Sequence, residues 1–184
     1  TIGENIMANT TFDGPVRSKN GFQSIGPGSV IALTAATDLT VADHAGRIVT
    51  MDPVGTPTAI TLPTIVATSD GASAGPGSDP NNKSTVGTTF EILFIDEFTG
   101  TISTDGTDKF VGSVMIGVDD GAKKAFVPAA ANDVMNLNGE AGAGNATTGG
   151  LIGSRVKFTA TADNTYMVEG LLIGDGTIAT PFGN

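Results

Sequence analysis

The string Gly71-Ala72-Ser73-Ala74-Gly75 is where this sequence matches a pattern for nucleophilic catalysis. The G-x-S-x-G arrangement works by holding a strained Ser outward on a sharp strand-to-helix turn. Here Ser73 is followed by Pro76-Gly77-Ser78-Asp79-Pro80, which opens no helix. The sole His, His44, precedes the Ser, against the order of the α/β-hydrolases. His44 itself falls in Asp43-His44-Ala45-Gly46, read as a turn between two strands, and one imidazole without clustered partners makes no metal site. Asp105-Gly106-Thr107-Asp108, Asp119-Asp120-Gly121 and Asp175-Gly176 could offer oxygens to Ca²⁺, but none has EF-hand spacing with its closing Glu. Asp-Gly pairs are also what β-turns use, since Asp bonds nearby backbone and Gly accepts positive φ. Gly139-Glu140-Ala141-Gly142-Ala143-Gly144 lacks both the G-x-G-x-x-G order and the Lys-Ser/Thr of a phosphate loop, and Asn138-Gly139 reads as a hairpin turn. The expectation is therefore a chain with no catalytic, cofactor-binding or metal-binding residues, and not an enzyme.

Composition narrows the class further. The chain has 184 residues, enough for one domain, or one domain plus an arm, with a real core. Its 26 Gly and 9 Pro suggest frequent turns, while abundant Thr, Val and Ile favour strands because branching at Cβ suits a pleated surface. Nine basic against 19 acidic residues give a net charge of −10, a poor footprint for nucleic acid, which is bound by clustered Lys and Arg. Cys is absent, so neither disulfides nor thiolate metal sites staple the fold. No apolar run reaches the roughly 20 residues of a membrane span, and no basic-then-apolar leader opens the sequence. No membrane partner is expected, and assembly is placed in the cytoplasm.

The clearest element is a hairpin. Val156, Phe158 and Ala160 alternate with Arg155, Lys157, Thr159 and Thr161, and after Asp163-Asn164 the segment 166–173 runs back as a second strand. Upstream, strands are expected at 30–33, 39–41, 46–51, 59–62, 100–104 and 109–116. The most apolar run, Phe90-Glu91-Ile92-Leu93-Phe94-Ile95, is expected to be central. The Ala-rich piece 122–132 is the one plausible helix, shortened by Pro128 to a turn or two, and 133–137 follows as a strand. Segment 67–87 is polar and rich in breakers, an exposed loop. Together these give an all-β fold, an antiparallel β-sandwich or β-barrel spanning 29–184. Residues 1–28 form an extended N-terminal arm with a tight-turn signal at Asn20-Gly21. Phe12 and Phe22, isolated in that polar arm, need somewhere to bury their rings, on this body or on a neighbour.

Two stretches carry a family resemblance. Residues 7–22, MANTTFDGPVRSKNGF, resemble the opening of small virion proteins of tailed phages of aquatic bacteria, cyanophages in particular. The end, from Gly149-Gly150-Leu151-Ile152-Gly153 to Gly174-Asp175-Gly176-Thr177-Ile178-Ala179-Thr180-Pro181-Phe182, is similar to the same group. Ala59-Ile60-Thr61-Leu62-Pro63 and the run at 90–95 also fit its strand pattern. The sequence departs from the pattern in the six residues before Met7 and in a long 67–87 loop. The resemblance implies a capsid decoration (cement) protein on the outside of the phage head, its partners the major capsid protein and further copies of itself, as a homotrimer. The arm residues Phe12, Val16, Arg17 and Phe22 are then the expected capsid contacts. A tail-fibre or host-attachment module is the alternative, though one Tyr and no Trp leave little aromatic surface for stacking on sugars.

Overall fold

The computed structural model describes residues 30–51, 58–66, 84–118, 123–140 and 144–184. The arm and most of the 67–87 loop lie outside them. In chain order the elements are β1 (Val30–Leu33), β2 (Thr37–Asp38), α1 (Val41–His44), β3 (Ile48–Met51), β4 (Thr58–Thr61), β5 (Thr89–Phe94) and β6 (Gly100–Ser103). There follow β7 (Lys109–Gly117), β8 (Lys123–Phe126), β9 (Val134–Leu137), β10 (Arg155–Ala162), β11 (Thr165–Ile173) and β12 (Phe182–Gly183). They form two packed sheets, one of seven strands in the order β1-β3-β5-β10-β11-β7-β8 and one of five in the order β12-β9-β6-β4-β2. The fold is an all-β sandwich, not a closed barrel.

The pairing within the sandwich is mixed. From β1 to β6 the chain alternates between layers, so each return lays a strand parallel to the previous one in the same layer. A connection that crosses to the other sheet and back supplies the long link parallel neighbours require. The antiparallel component comes later: β10 runs against both β5 and β11, β7 against β8, and β9 against β6 and β12.

The hairpin of β10 and β11 stands as its alternation requires. Val156, Phe158 and Ala160 are buried on one face, opposite Gly170, Val168 and Tyr166. At its tip Asn164 takes φ 56°, a left-handed conformation that Asn tolerates better than most residues, and the register shifts between Ala160 and Ala162. The run at 90–95 is likewise central, with Phe90, Ile92 and Phe94 buried and both edges of β5 paired. The layers meet through aromatic contacts. The Phe110 ring of β7 lies 5.4 Å from Phe158 in its own sheet and 6.3 Å from Phe182 in the other. Each fully buried ring of this kind contributes about 1.5–3 kcal/mol of transfer free energy.

Three local expectations are corrected. Residues 39–41 are not a strand: β2 ends at Asp38, and Val41–His44 form a helical turn. The Thr40 hydroxyl accepts from the Asp43 N–H at 3.2 Å, and His44 Nδ1 accepts from the Thr40 N–H at 3.0 Å. This N-cap chemistry outweighs the strand preference of Val41. The Ala-rich piece is not helical where it is described, since Lys123–Phe126 pair antiparallel with β7. β7 offers an open ladder there, and Phe126 reaches the core from it, so tertiary pairing overrides alanine's helix propensity. Asn138-Gly139 turns no hairpin, because β9 and the next strand, β10, belong to different sheets. Gly139 instead lies against the backbone of Phe98 and Gly150, where an added Cβ would come within 2.6 Å of Phe98 N and 2.3 Å of Gly150 O.

Candidate functional site

The two outer faces of the sandwich differ in chemistry. Strand alternation sends every second residue outward. On the five-stranded sheet these positions are Asp38, Ala59, Thr61, Thr101, Ser103, Val134 and Asn136, small or polar apart from the half-buried Val134. On the seven-stranded sheet they include Val30, Ile48, Val111, Met115, Met167 and Leu171, all exposed. Register places Val111 beside Met167 and Met115 beside Leu171, two apolar pairs on β7 and β11 with Ser113 and Glu169 between them. The row that passes between these pairs runs Glu91, Lys157, Glu169 and Ser113 across β5, β10, β11 and β7. Lys157 Nζ reaches Glu169 Oε1 at 3.1 Å, and Arg155 Nε reaches Glu91 Oε1 at 3.5 Å. An open groove of about 480 Å³ crosses these strands, lined by Leu93, Arg155, Lys157, Glu169 and Leu171 with Gly153 and Gly170. It is broad and unenclosed, a surface suited to contact with another surface.

A second polar constellation lies at one end of the sandwich. Asp105 Oδ1 accepts from the backbone N–H groups of Thr107 and Asp108 at 2.9 and 3.1 Å, and Oδ2 accepts from the Thr64 hydroxyl at 2.8 Å. Burial pushes the Asp105 carboxyl up, but the hydrogen bonds from Asp108, Thr64 and Thr107 outweigh it and leave it below its ordinary value. Asp108 is fully buried. Its Oδ2 accepts from the Ile65 N–H at 2.9 Å, while Oδ1 has no hydrogen-bond partner among the described residues. Burial pushes its carboxyl up; the Ile65 N–H opposes this, and the charges of Asp105 and Asp163 add to it. Tyr166 donates its hydroxyl to the Pro63 carbonyl at 2.6 Å, tying β11 of one sheet to the end of β4 in the other. Burial raises the phenol, and the charges of Asp108 and Asp105 raise it further. These groups are engaged in holding loops and layers together.

The remaining motifs find structural employment or fall outside the description. Asp175 accepts from the Gly144 and Gly176 N–H groups, as turn carboxylates do. His44 closes the α1 turn. Among the described residues no three His, Cys, Asp or Glu side chains are gathered as a metal site. Ser73, Asp119-Asp120-Gly121 and the arm residues Phe12, Val16, Arg17 and Phe22 lie outside the described residues. The outward apolar pairs escaped the sequence reading: Val111, Met115, Met167 and Leu171 depart from the alternation one by one, and only the pairing of β7 with β11 groups them. Comparison with protein-family models, with curated proteins and with solved structures returns no match.

Proposed function

We propose that this chain is a virion structural protein that binds the outer surface of a tailed-phage major capsid protein shell and reinforces it by adhesion. The sequence resemblance at both ends motivates the reading. The structural observation that supports it most is the free edge of the seven-stranded sheet at β1. Its two edges differ: β8 reads Lys123-Lys124-Ala125-Phe126, a strand whose lysines discourage further pairing, whereas β1 reads Val30-Ile31-Ala32-Leu33, without charge. Among the described residues nothing pairs with the far side of β1. An uncharged open edge accepts an extended segment through backbone hydrogen bonds, with pockets reading alternate side chains. β1 is also where residues 1–29 enter the body, so the proposed arm is tethered beside such an edge. In this reading Phe12, Val16, Arg17 and Phe22 anchor the protein to capsid protein or to a neighbouring copy, and repetition over the lattice turns modest single contacts into avidity. Assembly onto the head follows synthesis in the host cytoplasm.

The test is occupancy on purified heads. Gold-labelled full-length protein should decorate the head surface in electron micrographs. A chain lacking residues 1–21 should keep its β-sheet circular dichroism and lose binding. Label confined to the tail would replace this reading with a host-attachment module, and undiminished head binding by the truncated chain would remove the arm from the mechanism.

A further inference from the structure

Ten large apolar side chains are exposed among the described residues, and six of them stand on strands of one sheet face, the outer side of the seven-stranded sheet. Soluble monomers rarely gather exposed apolar groups this way without an interaction to cover them. We propose that this face is a self-association surface on which a second copy of the chain packs sheet against sheet.

Three observations select a second copy as the occupant. The first is charge. The chain as a whole carries −10, yet on this face Glu91 and Glu169 stand with Arg155 and Lys157, and Lys123 adds a further positive charge at the β8 edge, so the face has no acidic excess. A copy with the same acidic surface can approach here without setting carboxylate against carboxylate. The alternating row Glu91-Lys157-Glu169 is also self-complementary, since a two-fold contact offset by one strand sets lysine of one copy against glutamate of the other. The −10 of the whole chain disfavours a nucleic acid, and a strongly basic partner finds no acidic excess on this face. The second is area. Seven strands at about 4.8 Å spacing and up to nine residues at about 3.3 Å make a face of roughly 700–1,000 Å², against the ~800 Å² each partner gives to a standard stable interface. The third is composition. The pairs Val111/Met167 and Met115/Leu171 put exposed apolar side chains on both sides of the charged row, so one contact with a second copy covers apolar surface and matches charges together. On the other face the one large apolar side chain at a described outward strand position is the half-buried Val134, among Asp38, Thr61, Thr101, Ser103 and Asn136. The virion reading expects further copies as partners; this inference goes beyond it by assigning the face, and its test uses copies in solution with no capsid present, so either can fail without the other.

The experiment is sedimentation velocity on the full chain from low to high micromolar concentration, at moderate salt to screen the long-range repulsion between acidic copies. The wild type should move from monomer towards dimer or a higher assembly. The double variant Met115→Glu/Leu171→Glu should weaken association by about tenfold or more, because it replaces one of the two apolar pairs with charge beside Glu169. The control Ala59→Glu, on the opposite face, should leave association unchanged. A second readout needs no variant: oxidative footprinting of the wild type should show Met115 and Met167 becoming protected as concentration rises. A chain that stays monomeric throughout, a control that weakens association as much as the double variant, or methionines oxidised equally at all concentrations would each overturn the proposal.

Discussion

Replacing Tyr166 by Phe tests how the two layers are held together. The ring is buried and remains so in the variant; only the hydroxyl is lost, with its 2.6 Å hydrogen bond to the Pro63 carbonyl. That carbonyl belongs to a half-buried residue at the end of β4, so water compensates for part of the loss. A deleted hydrogen bond of this kind costs about 1–2 kcal/mol, and at this chain length each kcal/mol lowers Tm by about 2–4 °C. The variant should therefore melt about 2–8 °C lower, with the same β-sheet circular dichroism. The chain reports on the residue directly, since it contains one Tyr and no Trp. In the folded protein the phenol is raised above its ordinary value of 10.0 by burial and by the charges of Asp108 and Asp105. A raised folded pKa favours the protonated form, so this contribution to stability is whole below pH 10.0 and is lost as pH climbs above it. Alkaline titration should accordingly show tyrosinate absorbance appearing only with loss of the fold. Reversible ionisation near pH 10 with the sheet intact, or a variant that melts with the wild type, would refute the argument that this hydroxyl is a buried tie.

Asp108 and Gly112 give two further expectations. Asp108→Asn should be worth more at neutral pH than in acid. The folded carboxyl titrates above its ordinary 3.8, so its favourable contribution is whole below that pH and declines as pH rises through the folded value. Denaturant melts of variant and wild type across this range should show the gap in the variant's favour widening from acid to neutral pH; a gap that narrows would contradict the assignment. Gly112→Ala should destabilise by at least about 2 kcal/mol, since Gly112 has φ 106° and an added Cβ would sit 2.3 Å from the Val168 carbonyl oxygen in the neighbouring strand. Chemical denaturation measures this, and a variant as stable as wild type would show that β7 need not approach β11 so closely.

The local sequence was enough to place most strands and to say which of their faces is buried. Val156, Phe158 and Ala160 could be assigned inward from alternation alone, because the pleat has a period of two and burial acts on one face. Asp163-Asn164 marked the hairpin tip for an equally local reason, the tolerance of Asn for a left-handed backbone. Short-range chemistry could be misread even so, as at Thr40, where a capping hydroxyl converted an expected strand into a helical turn. Partnership was not legible, because alternation states which side of a strand is buried and never which strand lies beside it. Hence the parallel pairing of β1, β3 and β5, the recruitment of Lys123–Phe126 as an edge strand, and the separation of β9 from β10 into different layers emerged only once the chain had crossed between sheets. The same holds for the proposed association surface. Val111 and Met167 lie far apart in the chain, and Met115 and Leu171 equally so, and each looks like an ordinary exposed residue in its own strand. They become two apolar pairs, either side of Glu169 and Ser113, only when β7 and β11 pair in register and aim them out of the same face.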